Sequence, residues 1–431
     1  MQDFVHLHVH TYYSILDGQS SIQKLVDKAV ADGMRGMAIT DHGDMFGIKE
    51  FWDYCAGVNS KRKKEGLEPF KPILGCEMYV AHHNKEDRAG KEDRSGYHLI
   101  VLAKNYLGYK NLIKLVSNSW TDGFYMRPRT DRADLERHHE GLIVCSACIA
   151  GEVPSKVLKG DIEGAREAVQ WYKRVFGDDY YLELQRHEVK DPSIRANRET
   201  YPLQQRANSV LMQLAREYGV KIVCTNDAHF VDQENAEAHD HLLCLSTGKD
   251  LDDPTRMLYS KQEWFKTRAE MNEVFGDLPE AMANTLEVLD KVELYSIEHS
   301  PIMPFFPIPE SFGTEEQWRA KFTEEQLFAE FTSDENGQNP LPREEGEKKI
   351  EKLGGYDKLY RIKFEADYLA KLAYEGARKL YGDPLTDEVE ERVRFELHIM
   401  KTMGFPGYFL IVQDFINSAR DELGVMVGPG R

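Results

Sequence analysis

The sequence lacks the marks of a membrane or exported protein. No apolar run approaches the roughly 18 residues that a bilayer-spanning helix needs. The opening MQDFVHLHVH has no basic stretch ahead of an apolar one, so no secretory signal is expected. Cysteine is scarce: six residues, at 55, 76, 145, 148, 224 and 244, which read as reduced thiols in the cytoplasm. Positive charge is also in deficit, with 55 Lys and Arg against 73 Asp and Glu, a net of -18. That excludes a general basic coat for nucleic acid, and neither half of the chain is a basic arm. It leaves room for a nucleic-acid enzyme whose carboxylates hold metal. There are no repeats of solenoid length and no low-complexity tracts.

What is present is a patterned chain of 431 residues, 41% hydrophobic and 11% aromatic, long enough for two or three domains. Its first 230 residues alternate strand-like and helix-like stretches. Strands are expected at 4–10, 37–40, 73–80, 98–105, 142–147, 180–185 and 221–226. Helices are expected from Ser20 or Ser21 to Gly33 and over 45–64, 109–120, 162–176 and 203–218. Repeated strand–helix units predict an α/β fold with a largely parallel sheet, open or closed into a barrel whose site is built at the strand ends. His8, His10, Asp41, His42, Cys148, Asp227 and His229 fall at such ends. His98 instead begins its strand and Glu77 lies mid-strand, so strands 73–80 and 98–105 either pair as a hairpin or break the pattern. After about residue 285 the style changes. SPIMPFFPIPESF reads as an extended linker, TEEQWRAKFTEEQLFAEF as one helix and SDENGQNPLPREEGEKK as a solvated loop. Long amphipathic helices are expected at about 356–381 and 386–403.

Thirteen of the fifteen histidines lie before residue 242, several of them paired with carboxylates. His8-x-His10 on a strand directs two imidazoles to one face, where both can reach one cation. Asp41-His42 and Asp227-x-His229 repeat the pairing, and Asp17 lies close by. Imidazoles, carboxylates and one thiolate together suit Zn²⁺, Mn²⁺ or Fe²⁺ better than Ca²⁺. His6 shares the face of His8 but lies one step deeper and reads as a core or supporting residue. His82, His83, His138, His139, His187 and His241 read as surface or structural. Cys145-x-x-Cys148 sits in an apolar run rather than at a helix start, which favours burial or metal ligation over redox chemistry.

HLHVHTYYSILDG, MAITDHGDMFG, ILGCEMYV, YHLIVLAKN, CSACIAGEV and TNDAHF resemble, in order, the motifs of the polymerase and histidinol phosphatase (PHP) superfamily. More narrowly, the chain resembles the N-terminal region of the bacterial DNA polymerase III α-subunit family, the C-family replicative polymerases. YMRPRTDRADL is similar to a polymerase-type PHP segment, and MGFPGYFLIVQDFINSARDELGVMVGPGR to the start of that family's palm. The resemblance implies a distorted seven-stranded PHP barrel over 1–285, followed by a mainly helical part of the polymerase core over 286–431. An inserted segment is expected at about 332–384. Carried over position by position, it implies nine metal ligands: His8, His10, Asp17, His42, Glu77, His98, Cys148, Asp227 and His229. Glu77 would bridge two metals.

For an intact ligand set the resemblance implies two or three divalent ions (Mn, Zn or Fe) and metal-dependent 3′–5′ exonuclease hydrolysis. Asp17, His42 and His229 would then lie nearest the reacting phosphate. For the whole polymerase it implies DNA-templated DNA synthesis with Mg²⁺, primer-template DNA and dNTPs. It also implies replicase partners, namely a sliding clamp, a proofreading exonuclease and a clamp-loader subunit, with no membrane and a cytoplasmic location. Gly428, Gly430 and Arg431 are candidates for nucleotide phosphate, and Arg127 and Arg129 for DNA. The family's palm carboxylates fall beyond Arg431, so these 431 residues are not expected to polymerise by themselves. Two alternatives stand beside the exonuclease: a non-catalytic, metal-stabilised scaffold for a separate proofreading subunit, and a free-standing phosphatase of the histidinol phosphatase kind.

Overall fold

The computed structural model describes residues 1–189, 195, 199–299 and 304–428. The chain divides into two compact units, Met1–Glu298 and His299–Arg431. In the first unit the sheet comprises β1 (Gly36–Ile39), β2 (Lys71–Val80), β3 (Tyr97–Ala103), β4 (Arg129–Thr130), β5 (Leu142–Cys145), β6 (Tyr180–Gln185) and β7 (Lys221–Thr225). Their order is β1-β2-β3-β5-β6-β7, with the short β4 pairing alongside β2. Most of their residues are buried on both faces, as in a sheet covered by helices.

β3 runs against both its neighbours, β2 and β5, while the pairs β1–β2, β5–β6 and β6–β7 are parallel. The hairpin alternative is therefore the one adopted. It explains His98: the start of a reversed strand lies at the same end of the sheet as the ends of the others.

The expected strand at 4–10 is extended but makes only one bridge, Val9 with Ala228. Its backbone bonds are divided between two neighbours. His6 and Val9 carbonyls accept from Ala38 in β1 and from Thr40 just after it, while His10 N–H and the His8 carbonyl pair with Ala228 beyond β7. The segment thus links the two outer strands of the sheet and curls it toward a barrel.

Helices pack outside. Ile22–Ala31 buries Ile22, Leu25, Val26 and Ala29, spaced on one face, and Ser21 caps it by accepting from Lys24 N–H. Asn105 and Asp161 cap Tyr106–Thr121 and Ile162–Phe176 in the same way. The helix Pro279–Lys291 crosses the boundary expected at 285. It buries Ala281, Met282, Val288 and Leu289 in the first unit's core, which is why that unit extends to Glu298.

The described part of the second unit is helical. The single helix expected over TEEQWRAKFTEEQLFAEF is two, Glu315–Lys321 and Glu324–Thr332. Thr314 with Gln317, and Thr323 with Gln326, each form a capping box, so the repeated T-E-E-Q starts a new helix both times. Arg343–Leu353 is helical where a loop was expected. Ile350, Leu359 and Ile362 pack with Leu327, Phe328 and Phe331. The segment expected as an insertion therefore supplies part of this unit's core.

Candidate metal centre

The polar strand ends converge. From the first segment, His8 and His10 place their Nε2 atoms 3.1 Å apart. The end of β1 delivers His42, β2 delivers Glu77 and the start of β3 delivers His98. The turn after β5 brings Cys148, and the turn after β7 brings Asp227 and His229. Glu77 is the hub: its Oε1 lies 3.3 Å from His8 Nε2 and 2.9 Å from His98 Nδ1, and its Oε2 lies 2.6 Å from His42 Nδ1 and 3.5 Å from His10 Nε2. Asp227 Oδ1 is 3.0 Å from His8 Nε2 and 3.3 Å from His10 Nε2. Asp17 Oδ2 lies 2.8 Å from His42 Nε2 and 3.7 Å from His229 Nε2. Cys148 Sγ stands 3.8 Å from His98 Nδ1. All nine residues singled out as ligands thus form one connected cluster.

Hydrogen-bond counting fixes which atoms are free for a cation. Ser14 Oγ donates to Asp41, so it accepts from His10 Nδ1, leaving the His10 Nε2 lone pair pointing into the cluster. Glu183 accepts from His8 Nδ1 at 2.7 Å, which likewise turns His8 Nε2 inward. His229 Nδ1 donates to the Asp227 carbonyl at 2.8 Å. His42 Nδ1 and Glu77 Oε2 are close, yet neither makes an aligned hydrogen bond, and Asp227 Oδ1 is also unpartnered. Buried polar atoms left this way are costly unless something else binds them. Three sets of atoms lie close enough to share an ion: His10, His42 and His229; His8, His10 and Asp227; and His42, Glu77 and His98. The donor set fits a borderline divalent cation.

The electrostatics point the same way. Burial pulls His8 down, but Asp227, Glu183 and Glu77 outweigh it and hold its pKa well above the imidazole range. Burial together with His42 and His229 pushes His10 down to about 3. Burial raises Glu77 and Asp227, yet the surrounding imidazoles, His98, His42 and His8 for Glu77 and His8 and His229 for Asp227, hold both well below the usual carboxylate range. The centre is thus an anionic core that requires neighbouring positive charge.

Backbone strain gathers here as well. Leu16, before Asp17, Ala147, before Cys148, and Asp227 itself have positive φ, at 62°, 59° and 48°.

Four residues support the cluster without joining it, and three of them, Glu183, Tyr259 and His239, stand in no motif. Glu183 is buried in β6 and also accepts from Thr225 and Gln185. Asp41 accepts from Thr11 and Ser14 and so shapes the turn that carries Asp17, rather than facing the cluster. Tyr259 Oη lies 3.2 Å from both His229 Nε2 and Asp17 Oδ1. His239 donates to the Asp17 carbonyl at 2.7 Å. A buried glutamate within an apolar strand was the available signal for Glu183; Tyr259 and His239 had none. His6 donates to the Lys266 carbonyl and packs on Phe265, as a core residue. Buried His187 faces Asn226 and Gln204.

Arg129 is not available to DNA. It is fully buried and donates to the carbonyls of Gly123, Lys85 and Asp87. Arg127 is exposed, its guanidinium 5.7 Å from the Tyr79 ring centroid, and Tyr79 packs beside His42 and His98. Gly428 is exposed with no neighbouring atoms that shape a phosphate cradle, and Gly430 and Arg431 lie outside the described residues.

Residues 6–187 match the PHP domain and residues 367–431 match the bacterial DNA polymerase III alpha NTPase domain. The second match begins inside the segment expected as an insertion. DNA polymerase III subunit alpha of Borreliella burgdorferi is 38% identical over 99% of this chain and 31% of its own length. The corresponding subunit of Campylobacter jejuni is 36% identical over 100% of this chain and 32% of its own length. The chain thus spans about a third of these relatives. Among solved structures, a putative metal-dependent phosphoesterase from Bifidobacterium adolescentis aligns at a TM-score of 0.31 and 15% identity, over 53% of this chain and 88% of that one. Its sequence is thus similar to a PHP domain over residues 6–187 and to DNA polymerase III alpha subunits over nearly its whole length.

Proposed function

We propose that this chain is the N-terminal part of the catalytic α subunit of a DNA polymerase III replicase, and that its PHP unit is a metal-dependent 3′–5′ exonuclease. The observation that carries the second part is the convergence of four imidazoles on the two oxygens of one buried carboxylate, Glu77, with Glu77 Oε2, Asp227 Oδ1 and His42 Nδ1 left unpartnered. The nine residues would hold two or three Mn, Zn or Fe ions, with Glu77 at the middle of the donor set. Cations in such a site supply Lewis acidity toward a phosphate oxygen and an attacking water.

The chain's own groups do the rest. Glu77 and Asp227 fix the imidazoles around them. Asp17 and His42 are partly exposed, and His229 is buried beside Asp17. An Asp17 carboxylate oxygen accepts the proton leaving the attacking water, and Tyr259 Oη, 3.2 Å from Asp17 Oδ1, donates to the same carboxylate. In the whole polymerase the reading extends to DNA-templated synthesis with Mg²⁺, primer-template DNA, dNTPs and replicase subunits (clamp, clamp loader and proofreading exonuclease), in the cytoplasm. Among the described residues no helix is long and apolar enough to cross a membrane.

The test is a nuclease assay with Mn²⁺ or Zn²⁺ on primer-template DNA. A mismatched 3′ end costs less to unstack and is expected to be trimmed faster than a paired one. His10→Ala and Asp227→Ala are expected to abolish trimming. Trimming that persists unchanged in both variants refutes the reading and leaves the metal-stabilised scaffold.

A further inference from the structure

Beside the centre lies a set of exposed rings that neither the core nor the ligand cluster uses. Phe46, Trp120 and Phe124 are 59%, 43% and 44% exposed. The Trp120 and Phe124 rings are near-parallel, 16° apart in plane with centroids 5.4 Å apart, and the Phe46 ring lies 6.4 Å from Trp120, tilted by 37°. Exposed rings grouped in this way need a reason.

The set is held in place. Trp120 Nε1 donates at 2.8 Å to the carbonyl of Gly43, the residue after His42. Gly43 in turn lies so close to Tyr79 that a Cβ there would sit 3.2 Å from its ring. The loop that presents Phe124 is closed at its base by buried Arg129, which donates to the Gly123 carbonyl. Met126 in that loop has a φ of 63°, a conformation kept only where the surroundings impose it. The guanidinium of Arg127, in the same loop, forms no ion pair or hydrogen bond among the described residues and lies over Tyr79. It is an uncommitted cation in a chain of net charge -18.

We propose that Phe46, Trp120 and Phe124 form a stacking platform for the bases of a single strand, with Arg127 on its phosphates, so that the strand's end is led past Gly43 to His42. A base presents a flat π-face that fits beside near-parallel rings whatever its identity, and the polyanionic backbone complements a free guanidinium. The occupant is therefore single-stranded nucleic acid without sequence preference. The placement of its end rests on the exonuclease reading, but the binding itself does not.

The experiment is fluorescence anisotropy of the metal-loaded 431-residue chain with a labelled single-stranded oligothymidylate at low salt, its 3′ linkages phosphorothioate so that nothing is cleaved. Phe124→Ala is expected to weaken binding about tenfold, within the range for losing one stacked base. Phe124→Tyr is expected to restore it, and blunt duplex of the same length is expected to bind more weakly than the single strand. Phe124 lies at the exposed edge and touches no ligand, so this variant avoids the folding question raised by Trp120→Ala. Metal content of the variant, by elemental analysis, is expected to match the parent. Unchanged oligothymidylate affinity in Phe124→Ala, no binding by the parent, or equal binding of duplex overturns the platform and leaves the rings to a protein surface. Binding that behaves as expected while no metal supports trimming overturns the exonuclease alone.

Discussion

Glu183 makes the most economical test of the centre because it touches no shared ion position. Its carboxylate accepts from His8 Nδ1 at 2.7 Å and so turns His8 Nε2 inward. Partners of this kind orient a ligating imidazole and raise its basicity, and losing one typically costs about 10–100-fold in metal affinity. Glu183→Gln keeps the shape and removes the charge. Titration of apo-protein with Zn²⁺ is expected to show a loss of that order with the fold intact by circular dichroism; an unchanged affinity would show that His8 needs no such support. Lys266 gives a second test, through pH. Burial lowers its pKa to about 7, where it lies against the Trp264 ring and the Asn226 side chain. Between that value and the ordinary lysine value the unfolded chain binds more protons than the native one, so this group makes stability rise with pH across the window. The stability of the parent relative to Lys266→Met is expected to increase by about 1 kcal/mol per pH unit above pH 7. Chemical denaturation at several pH values measures it, and a flat difference rules it out. The convergence of these nine residues was legible because each stands in a short family motif with a metal-binding side chain. Arg129 was misread because its partners are backbone carbonyls, which leave no trace in residue identity.

At the scale of elements, periodicity located helices and strands but said little about direction. A buried strand has the same pattern in parallel and antiparallel pairs, so the reversal of β3 showed only through the odd position of His98. The segment 4–10 reads as a strand, yet its bonds are shared between Ala38 and Thr40 on one side and Ala228 on the other, so it forms no regular ladder. The break at Thr323 was written in the second T-E-E-Q, but the long run of helix formers around it masked the capping box. Packing likewise overrules propensity at Gly108, in the first turn of Tyr106–Thr121. Helix propensity favours alanine there by about 1 kcal/mol. A Cβ at that position, however, would stand 1.8 Å from the Gly141 carbonyl oxygen, which backbone on both sides holds in place. Overpacking of this kind costs roughly 1–3 kcal/mol or more and wins. Gly108→Ala is expected to lower the melting temperature by several degrees in calorimetry, whereas Gly57→Ala, at a helical glycine with open space around it, is expected to leave it unchanged or raise it slightly.

At the scale of the whole molecule, the two units differ in what sustains them. The first has a large apolar core, but wrapped inside it is a cluster of buried histidines and carboxylates whose unpartnered atoms oppose folding unless a cation joins them. The second rests on a small core around Phe328, Phe331 and Ile350, and among its described residues no such cluster occurs. A cation that binds only the native first unit stabilises that unit by mass action, by about 2.7 kcal/mol at a hundred times its dissociation constant. Calorimetry of the 431-residue chain is therefore expected to show a transition that rises with added Zn²⁺ or Mn²⁺ and falls with chelator, and a second that ignores both. Because Glu77 touches four of the imidazoles, Glu77→Ala is expected to remove more than one ion per chain and to abolish the metal-dependent rise. A metal-induced shift of equal size in Glu77→Ala would mean that the stabilising ion sits elsewhere, and the central carboxylate would lose its place in the centre.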